Sequence, residues 1–142
     1  MNIPDYRIEP ADYYVDGEDL RAVRNAVFVV EQKIPPELEW DELDARSFHV
    51  VARDAQHQVI GTGRLTPDHK IGRMAVLPAW RKQGVGKALM SSLIEQARKQ
   101  NWSAVSLHAQ LAVLDFYRQF GFSSEGEMFL EAGISHQLMS MP

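Results

Sequence analysis

The stretch from residue 70 to residue 100 constrains the fold most strongly, because it joins the signals of a strand, a tight loop and a helix. Lys70–Leu77 is short and half apolar, which is typical of a buried strand. Pro78 ends this strand, since proline offers no N–H to a sheet ladder. Further on, apolar side chains recur at helical spacing, and they are Leu89, Met90, Leu93, Ile94 and Ala97. The stretch therefore predicts one strand–loop–helix unit.

The loop of this unit, residues 81–87, is basic and contains two glycines, Gly84 and Gly86. Glycine lets the backbone turn tightly and approach a ligand closely. The first N–H groups of a helix lack internal partners and, together with the helix dipole, favour an anion. Three cations lie in the same few residues, namely Arg81, Lys82 and Lys87. The loop is predicted to bind a phosphate or a pyrophosphate.

Two common phosphate-binding motifs do not fit this loop. A P-loop would need glycine at position 81 and serine or threonine at position 88, where the chain has Arg81 and Ala88. The dinucleotide fingerprint fails at its third glycine, where the chain has Leu89. The remaining pattern, Arg-x-x-Gly-x-Gly between a strand and a helix, resembles the acyl-CoA pyrophosphate loop of the GNAT N-acetyltransferase superfamily.

Other segments extend the resemblance over nearly the whole chain. Residues 111–122, LAVLDFYRQFGF, resemble the second GNAT landmark, a helix that carries Phe-Tyr and ends at Gly-Phe. Residues 26–32, AVFVVEQ, and residues 133–136, GISH, are similar to the ElaA-like branch of acetyltransferases. The resemblance implies an α/β fold of the GNAT acyl-CoA N-acyltransferase type, with a splayed, mixed central sheet flanked by helices.

Periodicity and turn residues predict the order β-α-β-β-β-α-β-α-β-β within one domain, residues 1–142. Gly61 and Gly63 interrupt one strand and predict a bulge or a close backbone approach. The predicted elements are an edge strand within Tyr6–Val15, a helix over Gly17–Gln32, strands at Phe48–Arg53, Val59–Thr66 and Lys70–Leu77, the basic-loop helix, a strand at Val105–Ala109, a helix at Leu111–Phe120, and strands near Ser123–Leu130 and Ile134–Met139.

Composition excludes several classes of protein. The net charge of −4 argues against a general nucleic-acid binder, and the absence of cysteine excludes disulfides, thiolate nucleophiles and cysteine metal sites. No apolar run approaches the roughly 20 residues that cross a bilayer, so a cytoplasmic protein without membrane partners is expected. The histidines show no metal-ligand spacing, and no metal is expected.

The GNAT resemblance implies where an acyl-CoA would bind. Backbone N–H groups of Gln83, Gly84, Val85 and Gly86 would hold the pyrophosphate, with Arg81, Lys82 and Lys87 alongside. The main chain of Met74, Ala75 and Val76 would pair with the pantetheine arm, as an added strand does. The N–H of Val76 is the candidate oxyanion donor to the thioester carbonyl. Gln110, where many relatives have asparagine, and Phe116 complete the implied contacts with acetyl-CoA.

The resemblance also implies a catalytic role for Tyr117, as the acid that protonates the departing CoA thiolate. A phenol has a pKa near 10, so it is neutral at pH 7 and can give up a proton. The general base is less defined, because the strand Lys70–Leu77 lacks the glutamate that many relatives carry there. Glu31, His49, Asp44 and His136 are candidates, and Glu31 is preferred because it ends the first predicted helix, where GNAT enzymes build the acceptor site.

Residues 37–44, ELEWDELD, contain five carboxylates. A solvated surface is the favoured interpretation, since charge runs are usually exposed. The alternative is electrostatic steering of a cationic amine, with Trp40 offering a cation–π face.

These features together predict an N-acetyltransferase in which an amine, from a small molecule or a peptide, attacks acetyl-CoA directly in a ternary complex. Acetyl-CoA would be the co-substrate, and a homodimer is possible. Two alternatives are an acyl-CoA-binding regulatory module without efficient catalysis and an interaction protein on a GNAT scaffold. The identity of the acceptor is open, because acceptor sites are built from variable loops.

Overall fold

The computed structural model describes residues 5–142, which form a mixed, open sheet with helices on both of its faces. The elements in chain order are β1 (Tyr6–Ala11), α1 (Gly17–Arg24), a π-helical segment (Asn25–Glu31), α2 (Pro36–Glu39), β2 (Phe48–Asp54), β3 (Val59–Leu65), β4 (Lys70–Val76), α3 (Val85–Lys99), β5 (Val105–Gln110), α4 (Leu114–Arg118), β6 (Ser123–Glu131) and β7 (Ile134–Met141). Single 3-10 turns lie at Asp44–Arg46, Pro78–Trp80 and Leu111–Val113. The predicted fold class is confirmed.

Two predicted helices differ from the observed ones. The first is α-helical only to Arg24 and then widens into the π-helical segment, where the N–H of Gln32 donates to the carbonyl of Val27 at 3.0 Å. The wider turn lets the adjacent side chains of Val27 and Phe28 both be buried. The helix predicted over Leu111–Phe120 begins as a 3-10 turn, and only Leu114–Arg118 is α-helical.

The seven strands of residues 5–142 have the spatial order β1-β2-β3-β4-β5-β7-β6. The first four are antiparallel neighbours, and Pro10 is accommodated because β1 is an edge strand that pairs with β2 alone. The register between β3 and β4 shifts between Thr62 and Arg64, which confirms the bulge predicted around Gly63. On the facing strand, Arg73 has φ 51°, a left-handed conformation that non-glycine residues rarely adopt.

The two faces of the sheet are covered by different helices. Apolar residues of α3, such as Leu89, Met90 and Leu93, pack with Ile60 and Val50 in the main core. On the opposite face, Val23 of α1 and Val27 and Phe28 of the π-helical segment pack against Ala75 of β4. This alternation along the strands follows from their side-chain period of two.

The sheet opens between β4 and β5. These parallel strands share two register pairs, Lys70↔Ser106 and Ile71↔Leu107, and β5 then continues beside β7 as far as the pair Gln110↔His136. In the described part of the chain, residues 72–76 of β4 therefore have no strand partner on this side. The result is a cleft in the centre of the sheet.

Within residues 5–142, no helix combines the length and the apolar character that spanning a bilayer requires.

Candidate active site

A cavity of about 1010 Å³ fills the cleft between β4 and β5. It extends from the end of the first helix, past the open edge of β4, to the start of α3. Among the predicted acyl-CoA contacts, Gln83 alone does not line this cavity. The predicted residues in its wall are Glu31, Met74, Ala75, Val76, Arg81, Lys82, Gly84, Val85, Gly86, Lys87, Gln110, Phe116 and Tyr117.

The basic loop turns into α3 through backbone conformations that glycine favours. Gly84 is the N-cap of α3 with φ 85°, and Lys82 also has a positive φ of 63°. The first helical hydrogen bond runs from the N–H of Ala88 to the carbonyl of Gly84, at 3.0 Å. The N–H groups at the start of α3 consequently lie outside the helical ladder, at the wall of the cavity. A Cβ at Gly86 would be in van der Waals contact with Phe116, whose Cζ lies 3.4 Å from that position.

Tyr6 of β1 also contacts the basic loop, and the sequence did not predict this contact. The hydroxyl of Tyr6 donates to the backbone carbonyl of Gln83 at 3.3 Å, and its ring meets Trp80 edge-on at 6.4 Å. Gln83 makes a second hydrogen bond, which its side-chain amide donates to the carbonyl of Ala79 at 3.1 Å. These contacts fix the outer side of the turn.

Val76 directs its peptide groups into the cleft. The next residue, Leu77, donates its N–H to the carbonyl of Ile60 on β3 at 2.9 Å. Because successive residues of a strand point their peptide groups to opposite sides, the N–H and carbonyl of Val76 face away from β3. The carbonyl of Val76 indeed accepts a hydrogen bond from Nε of Arg81 at 2.9 Å.

Arg81 and Glu31 form a two-pronged ion pair at the wall of the cavity. Nη1 and Nη2 of Arg81 lie 2.7 and 2.6 Å from the two carboxylate oxygens of Glu31. Hydrogen bonds from Arg81 lower the pKa of Glu31, and the same contacts raise the pKa of Arg81. A carboxylate with a lowered pKa accepts a proton less readily, so this pairing argues against Glu31 as the general base.

Tyr117 lies in the wall of the cavity among aromatic rings. Phe116 and Phe122 meet it edge-on, with centroids at 5.1 and 6.4 Å. Burial raises the pKa of Tyr117 to about 12. The phenol is therefore protonated at neutral pH and can act as a proton donor.

Gln110 joins the two sides of the cleft. Its side-chain amide donates to the side-chain oxygen of Gln32 at 2.9 Å, which links the end of β5 to the residue that follows the π-helical segment. The amide is thus engaged with the protein itself in this structure.

The other predicted base candidates fall into two groups. His49 and Asp44 are buried outside the cavity wall, at 1% and 0% exposure. Burial lowers the pKa of His49, and its Nε2 lies 2.7 Å from the carbonyl of Asp44. His136 does line the cavity, where its Nδ1 donates to the carbonyl of Ile134 at 2.7 Å.

The expectation that residues 37–44 form a solvated surface is wrong for two of the carboxylates. Glu39 and Asp44 are 2% and 0% exposed, and Arg24 contacts them at 2.8 and 2.7 Å. The segment is moreover not a simple loop, since it contains α2 and a 3-10 turn. The guanidinium of Arg24 also lies 4.0 Å from the ring centroid of Trp40, so the cation on this ring belongs to the protein.

Further arginines neutralise this buried group. Arg64 contacts Asp44 at 3.0 Å and Asp41 at 2.8 Å, and Arg73 lies 3.3 Å from Asp41. The pKa of Glu39 is raised by burial. Burial also acts to raise the pKa of Asp44, but hydrogen bonds and charge from Arg24 outweigh it and lower that pKa. Arginines thus pair three of the five carboxylates, which weakens the case for electrostatic steering of an amine by this segment.

The sequence did not single out two polar residues of the cleft, His108 and Glu131. Both line the cavity, and Nδ1 of His108 lies 2.8 Å from Oε2 of Glu131. Alternation along β5 offers a signal, because Leu107 and Ala109 are buried whereas His108 and Gln110 share the other face. Among residues 5–142, no group of three or more histidines and carboxylates is arranged to hold a metal ion.

Comparison with known proteins agrees with this architecture. Residues 16–142 match the family described as the acetyltransferase (GNAT) domain. The chain belongs to the GNAT acetyltransferase family. YjcF of Bacillus subtilis, an uncharacterized N-acetyltransferase, is 39% identical over 126 residues, which cover 86% of this chain and 89% of YjcF. ElaA of Escherichia coli is 34% identical over 125 residues, or 82% and 81% of the two chains.

Two solved structures of similar proteins have the same fold. An acyl-CoA N-acyltransferase from Pseudomonas aeruginosa superposes with a TM-score of 0.85 at 29% identity, over 96% of this chain and 99% of its own. The crystal structure of Escherichia coli ElaA gives the same TM-score, 0.85, at 27% identity and the same coverage of 96% and 99%. The predicted family and its similarity to ElaA are confirmed.

Proposed function

We propose that this acetyltransferase moves an acetyl group from acetyl-CoA to a primary amine, by direct attack within a ternary complex. One observation carries the proposal. The edge of β4 that is left open by β5 leads directly into the basic loop and the N-terminus of α3. A ligand with an amide-containing arm and a pyrophosphate needs such an edge next to such a loop.

The donor would bind with its pyrophosphate at Gln83–Gly86 and its pantetheine along Met74–Val76. Arg81, Lys82 and Lys87 supply positive charge at the phosphate end. Without a Cβ at Gly86, the backbone beside Phe116 is open to close approach by phosphate oxygens. Gln110 and Phe116 flank the same cavity from β5 and α4.

The transfer step uses the open peptide group of Val76 and the phenol of Tyr117. The amine lone pair attacks the thioester carbonyl carbon, and the N–H of Val76 donates to the oxygen on which negative charge develops. Collapse of the tetrahedral intermediate breaks the C–S bond. The neutral hydroxyl of Tyr117 then donates its proton to the departing thiolate.

Calorimetric titration with acetyl-CoA, with ADP as the control ligand, tests the donor site. Tight binding of acetyl-CoA that ADP does not match is the expected result. Gly86→Glu should weaken acetyl-CoA binding at least tenfold, because the new carboxylate repels the pyrophosphate and its side chain meets Phe116. Gly17→Glu adds the same charge at α1, away from the cavity, and should leave the affinity unchanged. Absence of binding by the wild-type protein would overturn the proposal.

Thiol release over a panel of primary amines tests the reaction itself. Tyr117→Phe should lower turnover by about 10²-fold, the lower end for general acid catalysis, while leaving acetyl-CoA affinity intact. A wild-type protein that binds acetyl-CoA but releases no thiol with any amine would instead identify an acyl-CoA-binding module. Turnover that is unchanged in Tyr117→Phe would limit this residue to packing.

A further inference from the structure

We propose that His108, oriented by Glu131, is the general base that removes the proton from the acceptor amine. This inference rests on the proposed acetyl transfer and assigns the proton acceptor that transfer requires. An alkyl ammonium has a pKa near 10.4 and cannot attack a thioester until it loses a proton.

The two side chains form a carboxylate–imidazole pair in the wall of the cleft. Nδ1 of His108 lies 2.8 Å from Oε2 of Glu131, with the side chains 37% and 44% exposed. An ionised carboxylate only accepts hydrogen bonds, so this contact places the proton of a neutral imidazole on Nδ1 and leaves the lone pair on Nε2. Phe129 meets the ring edge-on at 5.0 Å and restrains its plane.

The position of His108 along the cleft suits contact with an acceptor. The register pair Ile71↔Leu107 places His108 at the level of Gly72 on β4. Val76, whose N–H is the proposed donor to the thioester oxygen, lies four residues further along β4, or about 13 Å at the rise of a strand. His108 is thus displaced from the thioester in the direction away from the phosphate loop. An ammonium that enters the cleft from this side would lose its proton at His108 before the neutral amine reaches the thioester.

Two of the sequence-predicted candidates also line the cavity, and both are less able to take this proton. Glu31 is held by two hydrogen bonds from Arg81, which lower its pKa. His136 lines the same cavity but is only 8% exposed, is stacked on Phe129 at 5.9 Å and has a backbone carbonyl as its Nδ1 partner. His108 combines exposure to the cavity with a carboxylate partner.

The acceptor ammonium gives up two protons in the proposed reaction. Nε2 of His108 accepts one proton from the ammonium, while Nδ1 keeps its contact with Glu131. The neutral amine forms the C–N bond, and its second proton leaves as the C–S bond breaks, restoring the proton that Tyr117 gave to the thiolate. The products are the N-acetylated amine, CoA thiol and one proton, which His108 releases to solvent.

The pH dependence of kcat/KM tests the assignment, with acetyl-CoA and the best alkyl amine of the panel, between pH 6.5 and pH 10. His108→Gln should be slower by about 10²-fold at pH 7, because the amine is then almost fully protonated in solution. The deficit should shrink toward pH 10, where the amine loses its proton unaided. Glu131→Gln should show a smaller deficit with the same pH trend, since it keeps an acceptor for Nδ1–H but loses the charge.

His57→Gln is the matched control, because His57 lies in the turn after β2, outside the cavity wall. It should match wild type at every pH, and calorimetry should give His108→Gln the acetyl-CoA affinity of wild type. A deficit that stays constant with pH would show a structural role and overturn the proposal, as would wild-type rates in both His108→Gln and Glu131→Gln. A wild-type protein that acetylates no amine contradicts the acetyl transfer itself, and the base assignment falls with it.

Discussion

Two arginine–carboxylate pairs of this protein have nearly the same geometry and opposite surroundings. Arg24 meets Asp44 at 2.7 Å, with side chains that are 1% and 0% exposed. Arg81 meets Glu31 at 2.6 Å, with side chains that are 38% and 40% exposed. The two pairs therefore do not differ in distance. They differ in burial, which determines how much each contributes to stability.

The difference lies in what happens when one partner is removed. Loss of Arg24 would leave buried carboxylates without a counter-charge or access to water, so this pair fastens α2 and the following turn to α1. Loss of Arg81 would return Glu31 to water at small cost. The exposed pair can consequently separate at small cost in stability, whereas the buried pair cannot.

The largest expected effect is on the buried pair. Arg24→Met should lower the free energy of unfolding by about 3–5 kcal/mol, the range for removing one partner of a buried pair. Arg21→Met is the control, because Arg21 is exposed and also lies near Trp40, at 5.6 Å. In urea unfolding, this control should lose less than about 1 kcal/mol of the free energy of unfolding. Equal effects of the two substitutions would refute the contrast between the pairs.

A change of pH should alter the contributions of the two buried carboxylates, Asp44 and Glu39, to the free energy of unfolding in opposite directions. The pKa of Asp44 is lowered, so its stabilising contribution is present above the unfolded value and is lost as pH falls through the folded value. The pKa of Glu39 is raised from 4.5, so its contribution becomes unfavourable as pH rises through that window.

Urea unfolding of wild type and Glu39→Gln between pH 3 and pH 7 measures this opposition. The stability of Glu39→Gln relative to wild type should improve as pH rises above about 4.5, because the variant lacks the ionisation that burial disfavours. Asp115→Asn, at a fully solvated position on α4, should run parallel to wild type. A parallel curve for Glu39→Gln as well would show that burial does not control this carboxyl.

The exposed pair should influence binding more than stability. Arg81→Gln should weaken acetyl-CoA binding about tenfold, through loss of a charged hydrogen bond, and change the free energy of unfolding by less than about 1 kcal/mol. Glu31→Gln should bind acetyl-CoA as tightly as wild type or up to a few-fold more tightly, most clearly at low salt. Calorimetry and urea unfolding measure the two quantities. An altered pH–rate profile in Glu31→Gln would return the role of base to that residue.

The smallest change in stability is expected for an ion pair that is exposed and lies outside the cavity wall. Lys99 and Glu95 lie one turn apart on α3, at 3.7 Å, with side chains about two-thirds exposed, 67% and 70%. Glu95→Gln should change the free energy of unfolding by no more than about 0.5 kcal/mol. A larger change in urea unfolding would mean that exposure is not what makes such pairs weak.

Local sequence patterns predicted much of the fold. The strand–loop–helix unit of residues 70–100 forms as expected, because apolar periodicity, Pro78 and the glycines all act over a few residues. The widening of the first helix was missed, since an apolar run such as Val27–Val30 does not reveal how many of its side chains the sheet will bury. The predicted acyl-donor residues other than Gln83 line one cavity, and their roles stay predictions.

The sequence did not predict which charged residues form pairs. Residues 37–44 were expected to be a solvated face, and their partners Arg24 and Arg64 lie 15 and 20 residues from them in the chain. The contact between Glu31 and Arg81 spans 50 residues. Such contacts exist only once the sheet is assembled, so a local pattern cannot show which charged residues are buried together.

The two register pairs between β4 and β5 have a thermodynamic consequence. They are the ladder by which β1–β4 meets β5–β7–β6 across the sheet, so the two parts are weakly coupled along this seam. A donor lying in the cleft would bridge them, and its binding would stabilise the whole fold by an amount that grows with the logarithm of its concentration. The amide proton of Val76, directed into the cleft, should then exchange with solvent more slowly, so the occupant of the site would complete the sheet.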